Sequence, residues 1–284
     1  MKRLLIVGCR GMLGTDLMKW PWDDYEIKGV DLEELDIVNK EDVMERIEDM
    51  KPDAIINAAA YTDVDRCEGE EELARKVNAL GPKYLAVAAK TVGAHFIHIS
   101  TDYVFDGEKR EPYGEWDAPH PINAYGRTKL WGEQLVQQIG GIWTLVRTQW
   151  LYGPCGPHFV DKMISLSQKR TTLDVVNDQT GCPTYTCDLV KQLSVIVKQG
   201  LRGIVHASSA GSCTWYEFAK VIFELLGKEN LVLRPVPSSA YPSEAQRPTY
   251  SILENAHLAS ADLDLMPHWR DGLKGYFLRQ SQPR

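Results

Sequence analysis

Tyr125 and Lys129 stand four residues apart at the start of a helical pattern from Ala124 to about Gln138, so their side chains share one helix face. A free phenol titrates near ~10 and gives up its proton slowly at neutral pH. A cationic amine beside it favours the phenolate and lowers that value. Thr101, in the run Ser100-Thr101-Asp102-Tyr103-Val104-Phe105-Asp106-Gly107, adds a hydroxyl one strand away that could share a substrate oxygen with the tyrosine. These are the parts of a proton-donating centre for a carbonyl. A Tyr-x-x-x-Lys pair alone is a weak signal, because such pairs are common on solvated helix faces; its weight comes from the motifs around it.

The elements that must position this centre are legible upstream. Arg3 to Gly8 reads as a short buried strand running directly into Gly8-Cys9-Arg10-Gly11-Met12-Leu13-Gly14, with a helix to about Lys19. Strand, glycine turn and helix are the context of a dinucleotide site, in which the backbone approaches a pyrophosphate and the helix N-terminus faces it. The next strand, Tyr25 to Asp31, ends on an acid about where the adenosine ribose hydroxyls are read. Asp31, with Glu33, Glu34 and Asp36, favours NADH; Arg10, in the phosphate turn, could pair with a 2′-phosphate and favours NADPH. The two clues oppose each other and leave the preference between NADPH and NADH open.

Asn39 caps a helix over Lys40 to Met50, Lys51-Pro52-Asp53 breaks it, and Ala54 to Asn57 is the third strand. Helical patterns follow over Glu71–Leu80 and Pro82–Val92, then a fourth strand from His95 to Ser100. His95 and His98 alternate there with apolar residues and read as packed or edge histidines. A strand over Trp143 to Arg147 follows. The alternation predicts an α/β fold with a Rossmann-type, doubly wound parallel sheet over residues 1–150. Residues 151–284 carry helices over Phe159–Gln168, Asp188–Lys198 and Thr214–Leu226. Short strands are expected at Leu173–Val176, Ile204–His206 and Leu231–Arg234. They read as a smaller C-terminal α/β substrate domain, with strands and helices open to exchange between the two. Trp20, Trp22 and Trp269 read as packing residues.

Composition bounds the function. The 284 residues are 44% hydrophobic and 25% charged, ordinary for a soluble globular protein. A net charge of −7 argues against general nucleic-acid binding. No signal pattern or membrane-length apolar run is present, so a cytoplasmic protein is expected. The six cysteines, Cys9, Cys67, Cys155, Cys182, Cys187 and Cys213, lack a Cys-x-x-Cys pair and read as reduced thiols; no metal site is expected.

Taken in order, the motifs resemble those of the extended short-chain dehydrogenases/reductases, and more narrowly the dTDP-4-dehydrorhamnose reductase family. They are Gly8-x-x-Gly11-x-x-Gly14, Asn57-Ala-Ala-Ala60-Tyr61-Thr62-x-Val64-Asp65, Ser100 to Gly107, Tyr125-Gly-x-Thr128-Lys129, Arg147-Thr-x-Trp150-x-Tyr152-Gly153, Asp178-Gln-x-Gly181-x-Pro183-Thr184 and Arg247-Pro248-x-x-Ser251-x-Leu253. The set covers nearly the whole chain. The resemblance implies reduction of the 4-keto group of dTDP-4-dehydro-β-L-rhamnose to dTDP-L-rhamnose, in a pathway feeding surface polysaccharide. It implies that Tyr125 donates the proton, Lys129 tunes it and holds the nicotinamide ribose, and Thr101 bonds the keto oxygen. Gly11, Met12 and Leu13 would meet the pyrophosphate, and Asp31, Asp36 and Ile37 the adenosine end. Ala60, Tyr61, Thr62 and Ile99 would line the rest of the cofactor groove. Thr101, Asp102 and Trp150 would touch the sugar, with Arg247 a candidate diphosphate contact and a homodimer a candidate assembly. Cys67 and His158 stand where the family commonly has Ala and Asn.

Two other readings use the same scaffold. A nucleotide-sugar dehydratase typically carries Asp-Glu directly after the threonine, whereas Tyr103 follows Asp102 here. That leaves an epimerase or a reductase of another nucleotide sugar. A non-catalytic, NADP-binding relative, similar to the regulatory β subunit of methionine adenosyltransferase, would have no use for Thr101, Tyr125 and Lys129 in register.

Overall fold

β1 (Lys2–Val7) shows in its own burial why the sheet is covered on both faces. Leu4 and Ile6 enter one apolar cluster and Leu5 and Val7 another. A strand buried on both sides reads as a continuous apolar run, which is what the sequence shows. In the computed structural model, which describes residues 1–228 and 230–280, the chain runs on through α1 (Met12–Lys19), β2 (Tyr25–Val30), α2 (Lys40–Met50) and β3 (Ala54–Asn57). Next come α3 (Val64–Gly69), α4 (Glu71–Arg75), α5 (Gly81–Val92), β4 (His95–Thr101), α6 (Ala124–Ile139) and β5 (Ile142–Thr148). The remainder comprises β6 (Leu151–Tyr152), α7 (Phe159–Ser167), β7 (Thr172–Val176), β8 (Thr180–Gly181), β9 (Thr184–Tyr185), α8 (Thr186–Gln199) and β10 (Gly203–His206). It closes with β11 (Cys213–Thr214), α9 (Trp215–Leu225), β12 (Val232–Val236), α10 (Ala256–Ser260) and α11 (Trp269–Gln280).

Six strands form one parallel sheet in the order β10-β5-β4-β3-β1-β2. β2 lies on one side of β1 and β3 on the other. The carboxyl ends of β1 and β3 therefore frame a switch point, the place where open α/β sheets bind ligands. One face is covered by Leu13 and Leu17 of α1 and by Leu189, Leu193 and Ile196 of α8. The other is covered by Val43 and Ile47 of α2, Leu85 and Ala89 of α5 and Val136 of α6. Each of these Val, Leu and Ile side chains contributes roughly 1.5–3 kcal/mol by leaving water.

The sixth strand and α8 both come from beyond residue 150 and pack on the sheet of the first half. The rest of that span builds a second cluster from Tyr152, Met163, Leu173, Phe218, Trp269 and Tyr276. There β7 and β12 pair in parallel, as do β6 and β9, while β8 and β11 pair antiparallel. Residues 281–284 of the expected C-terminal span lie outside the described residues. Trp22 and Trp269 are buried and Trp20 is half-buried, all within the packing.

Two local features were not expected. α3 carries little apolar periodicity and is started by Asp63, whose Oδ1 accepts from Arg66 N–H at 3.1 Å. The helix expected over Glu71–Leu80 is α only to Arg75 and then passes through a π-helical turn at Lys76–Leu80, a device common at functional sites. Among the described residues no helix is long and apolar enough to cross a membrane. Nor does any group of His, Cys, Asp and Glu there have a metal-holding arrangement. All six cysteines are free.

Candidate active site

The site is assembled at the carboxyl ends of β1, β3, β4 and β5. Gly8 leaves β1 with φ +79°, and a Cβ there would lie 2.7 Å from Ala59 N. A Cβ on Gly14 would lie 2.0 Å from the Gly8 carbonyl oxygen. Only glycine lets the turn, the end of β3 and α1 close up in this way. Gly11 caps α1 with no side-chain hydrogen bond, and Met12 and Leu13 open the helix, so the cradle an anionic pyrophosphate needs is built of backbone. Ala60, Tyr61 and Thr62 follow β3, and Ile99 lies on the adjacent β4, so these four residues border the same switch point.

The adenosine end differs from the simple expectation. Both Asp31 oxygens are occupied by backbone, Oδ2 by Arg10 N–H at 2.8 Å and Oδ1 by Leu32 N–H at 2.9 Å. The Arg10 guanidinium pairs with Glu33 at 3.2 Å and with Glu34. Asp36 accepts from Val38 N–H at 3.0 Å. Ile37 is buried in the core against α5.

The candidate proton-donating group is more tightly built than its sequence spacing alone conveys. Asn123 caps α6, its Oδ1 accepting from Gly126 N–H at 2.8 Å, while its Nδ2 donates to the Gln246 carbonyl at 2.8 Å. The first turn of α6, with Tyr125, is thus pinned to the C-terminal loop. Thr101 ends β4; its Oγ1 donates to Asp102 Oδ1 and accepts from Tyr103 N–H, at 3.0 and 3.2 Å. Burial holds the Tyr125 phenol well above its ordinary value, and the Thr101 hydroxyl, hydrogen-bonded to it, pulls part of the way back. The Lys129 amine, expected to draw this phenol down, is turned toward β4. Lys129 Nζ donates to the Ile99 carbonyl at 2.6 Å and lies 3.4 Å from His98 Nε2. Its burial lowers its pKa to about 8, against an opposing pull from Glu133.

Asp102 is buried, and its Oδ2 has no hydrogen-bond partner among the described residues. Burial pushes its carboxyl up to about 7, with Ser251 and Thr101 tempering the rise. Tyr103 packs edge-on to Tyr125 with centroids 5.7 Å apart, and also lines a cleft of about 480 Å³ in the C-terminal layer. That cleft carries Phe159, Trp215 and Tyr241 with Lys162, Arg170 and Arg247. Trp150 stacks on Trp215 at 3.4 Å and 6°, with φ +45°, a left-handed backbone uncommon for a bulky residue. Arg247 is beside Tyr103 and paired with Asp65 at 2.7 Å. The structure thus brings Thr101, Asp102 and Tyr125 together and joins them through Tyr103 to Arg247.

Sequence reasoning missed several supporting residues. Asn78, in the π-helical turn, accepts from Tyr61 N–H at 2.8 Å and donates to the Tyr61 carbonyl at 3.0 Å and to Thr128 Oγ1 at 3.2 Å. It clamps the β3 loop to α6. Cys67 is buried with Tyr61 and Tyr125 packed on its cluster, and burial raises its thiol to about 11. His158 does the work expected of an asparagine there, its Nδ1 capping α7 by accepting from Asp161 N–H at 3.4 Å. No sequence spacing pointed to Asn78.

A parallel sheet with a glycine cradle at its switch point and a Thr–Tyr–Lys group beside it is the build of an extended short-chain dehydrogenase/reductase. The chain belongs to the RmlD substrate binding domain family, whose pattern it matches over residues 1–281. It is 40% identical to a dTDP-4-keto-6-deoxy-D-glucose reductase of Streptomyces niveus, over 97% of this chain and 96% of that one. It is also 40% identical to a dTDP-4-dehydrorhamnose reductase of Aggregatibacter actinomycetemcomitans, over 96% of this chain and 98% of that one. The crystal structure of the Bacillus anthracis dTDP-4-dehydrorhamnose reductase in complex with NADP superposes with a TM-score of 0.95 at 40% identity. That match covers 98% of this chain and all of the Bacillus one.

Proposed function

We propose that this protein reduces the 4-keto group of dTDP-4-dehydro-β-L-rhamnose to give dTDP-L-rhamnose in the cytoplasm, using NADPH or NADH. The observation that supports the reading is the hydrogen-bonded Thr101–Tyr125 pair packed on Tyr103, which lines the aromatic cleft, with Lys129 one turn along the same helix as Tyr125. The cradle fits a dinucleotide: Gly8 and Gly14 leave room where a Cβ would collide with backbone, and α1 opens without a side-chain cap. A bound nicotinamide supplies the hydride. Gly8, Gly11, Met12, Leu13 and Gly14 would hold its pyrophosphate. Arg10, Asp31 and Asp36 would meet the adenosine end, and Ala60, Tyr61, Thr62, Ile99 and Lys129 the remainder.

Tyr125 gives its phenolic proton to the sugar O4 as that oxygen gains charge, and the Thr101 hydroxyl, turning its single proton from Asp102 Oδ1, donates a second hydrogen bond to the same atom. The high phenol value suits a donor that stays protonated until the substrate oxygen calls for the proton. Such general acid help contributes roughly 10²–10⁴-fold, and holding the sugar against the cofactor supplies much of the rest. Asp102, with a free oxygen, and Trp150 would set the sugar. Phe159 and Trp215 line the cleft that would take a base, with Arg247 nearby for the diphosphate.

A second reading has the same chemistry on a different sugar, because the Streptomyces niveus relative, equally similar, is named for dTDP-4-keto-6-deoxy-D-glucose. One experiment decides: the purified protein is given each 4-keto sugar with NADPH or NADH, oxidation is followed at 340 nm, and the product is identified by proton NMR. The proposal predicts dTDP-L-rhamnose from dTDP-4-dehydro-β-L-rhamnose. Turnover only with the D-gluco ketone moves the function to the second reading, and no oxidation with either, in protein that binds cofactor, overturns both.

A further inference from the structure

His98 is a fully buried histidine that the mechanism above does not use, and its hydrogen bonds fix which of its nitrogens carries the proton. Asn57 ends β3 and is paired in register with His98 on β4; both are fully buried. The Ala59 N–H donates to Asn57 Oδ1 at 3.1 Å, which turns the other end of that amide, Nδ2, toward His98 Nδ1 at 3.1 Å. An amide nitrogen only donates, so Nδ1 must accept, and the single proton of the neutral ring sits on Nε2. That Nε2–H faces Lys129 Nζ at 3.4 Å. An ammonium has no lone pair to receive it, whereas a free amine has one, and still donates to the Ile99 carbonyl at 2.6 Å.

We propose that Asn57 and His98 form a tautomer lock that presents an N–H to Lys129, so that the buried pocket weakens the hold of its amine on the third proton. His98 is a positioning residue in this scheme: it acts on the reaction through Lys129. The groups around Lys129 fit the assignment. On α6 itself, Glu133 lies one turn on and favours the cation. It is held by Arg147 of β5 at 2.7 and 2.9 Å and by Ser100 of β4 at 2.5 Å, so its charge is largely answered elsewhere. Arg147 in turn meets His206 Nε2 at 3.4 Å, and that ring is tied through Nδ1 to the Tyr113 and Glu254 carbonyls. Tyr125, one turn back, is kept protonated by burial. The ring of His98 is held neutral by burial, which leaves the lock no second proton. The low Lys129 value, about 8, agrees in direction.

The consequence is a Lys129 whose proton is labile near neutral pH. Its bearing on turnover rests on the reductase reading, but the lock itself does not. The test is ¹⁵N NMR of the full chain, labelled at histidine and lysine side-chain nitrogens, without cofactor or substrate. Wild type is compared with Asn57→Asp, whose carboxylate would accept from Nδ1 and reverse the tautomer, and with Asn57→Leu, which removes the donor without adding charge. The proposal predicts a protonated Nε2 and bare Nδ1 on His98 in wild type, and a Lys129 Nζ midpoint about one pH unit higher in both variants, a tenfold tighter hold on the proton. A protonated Nδ1 in wild type overturns it and needs no variant to be seen. So does a Lys129 midpoint that stays put in the folded variants. The pH profile of kcat then separates the two claims. An alkaline limb that follows the Nζ midpoint joins the lock to catalysis. A limb that stays fixed while Nζ moves leaves the lock standing and removes Lys129 from the reaction.

Discussion

Both carboxylate oxygens of Asp65 bind Arg247, Oδ2 to Nη2 at 2.7 Å and Oδ1 to Nη1 at 3.1 Å. The pair joins α3, next to the cofactor groove, to the C-terminal loop, and Asp65 also accepts from the Ala245 N–H at 3.1 Å. It fixes the guanidinium at the edge of the aromatic cleft and beside Tyr103. The bidentate arginine holds the Asp65 carboxyl below its usual range.

If Arg247 meets the diphosphate from this position, Arg247→Gln should raise KM for the nucleotide sugar about ten- to a hundredfold, the worth of a charge-assisted hydrogen bond of ~1.5–3 kcal/mol. kcat should be little changed, because the contact is made equally in ground and transition states. Steady-state kinetics check this; a fall in kcat at constant KM contradicts the assignment.

Asp102 makes a prediction in pH. Its folded value is raised to about 7 by burial, above an ordinary ~3.9. The folded chain therefore keeps a proton that the unfolded chain has lost. The stability this group contributes is fully present below ~4 and is lost as pH rises to about 7, then levels off. Asp102→Asn has no such proton. Denaturant unfolding across that window should show wild type losing stability relative to the variant as pH rises; a constant difference would mean the carboxyl is already ionised in the fold.

Arg10 and Asp31 oppose each other in the sequence, and the structure shows how. Asp31 is spent on backbone N–H groups, and Arg10 on Glu33 and Glu34. A 2′-phosphate would have to draw Arg10 from those exposed partners. Arg10→Ala should raise KM for NADPH about three- to fivefold, the worth of an exposed ion pair, and leave KM for NADH alone. An unchanged ratio of the two would take Arg10 out of cofactor selection.

What could be read in the sequence was what local rules govern. β1 and β3 carry apolar runs because they are buried on both faces, and the Gly8–Gly14 turn announces itself by following β1 directly. Tyr125 and Lys129 share a helix face, so their spacing showed the pair. What stayed hidden depends on contacts across long stretches of chain. Asn57 and His98 are 41 residues apart, Tyr61 and Asn78 are 17 apart, and Asp65 and Arg247 are 182 apart. His98 looked like packing because nothing local marks a histidine whose second nitrogen meets an amine. The strand β10 was legible and open to exchange between the two domains, because a sequence does not show which sheet edge a strand will join. The direction of the Tyr125 shift was hidden for a related reason: helix spacing reports neighbours, and desolvation depends on everything packed above them.

The most direct test of the account is Tyr125→Phe, assayed for hydride transfer to dTDP-4-dehydro-β-L-rhamnose while cofactor binding is followed separately by fluorescence. The account predicts a loss in kcat of roughly 10²–10⁴-fold with cofactor affinity retained, since only the proton donor has been removed. Turnover near the wild-type rate in protein that still binds cofactor would contradict it and assign the proton to another group.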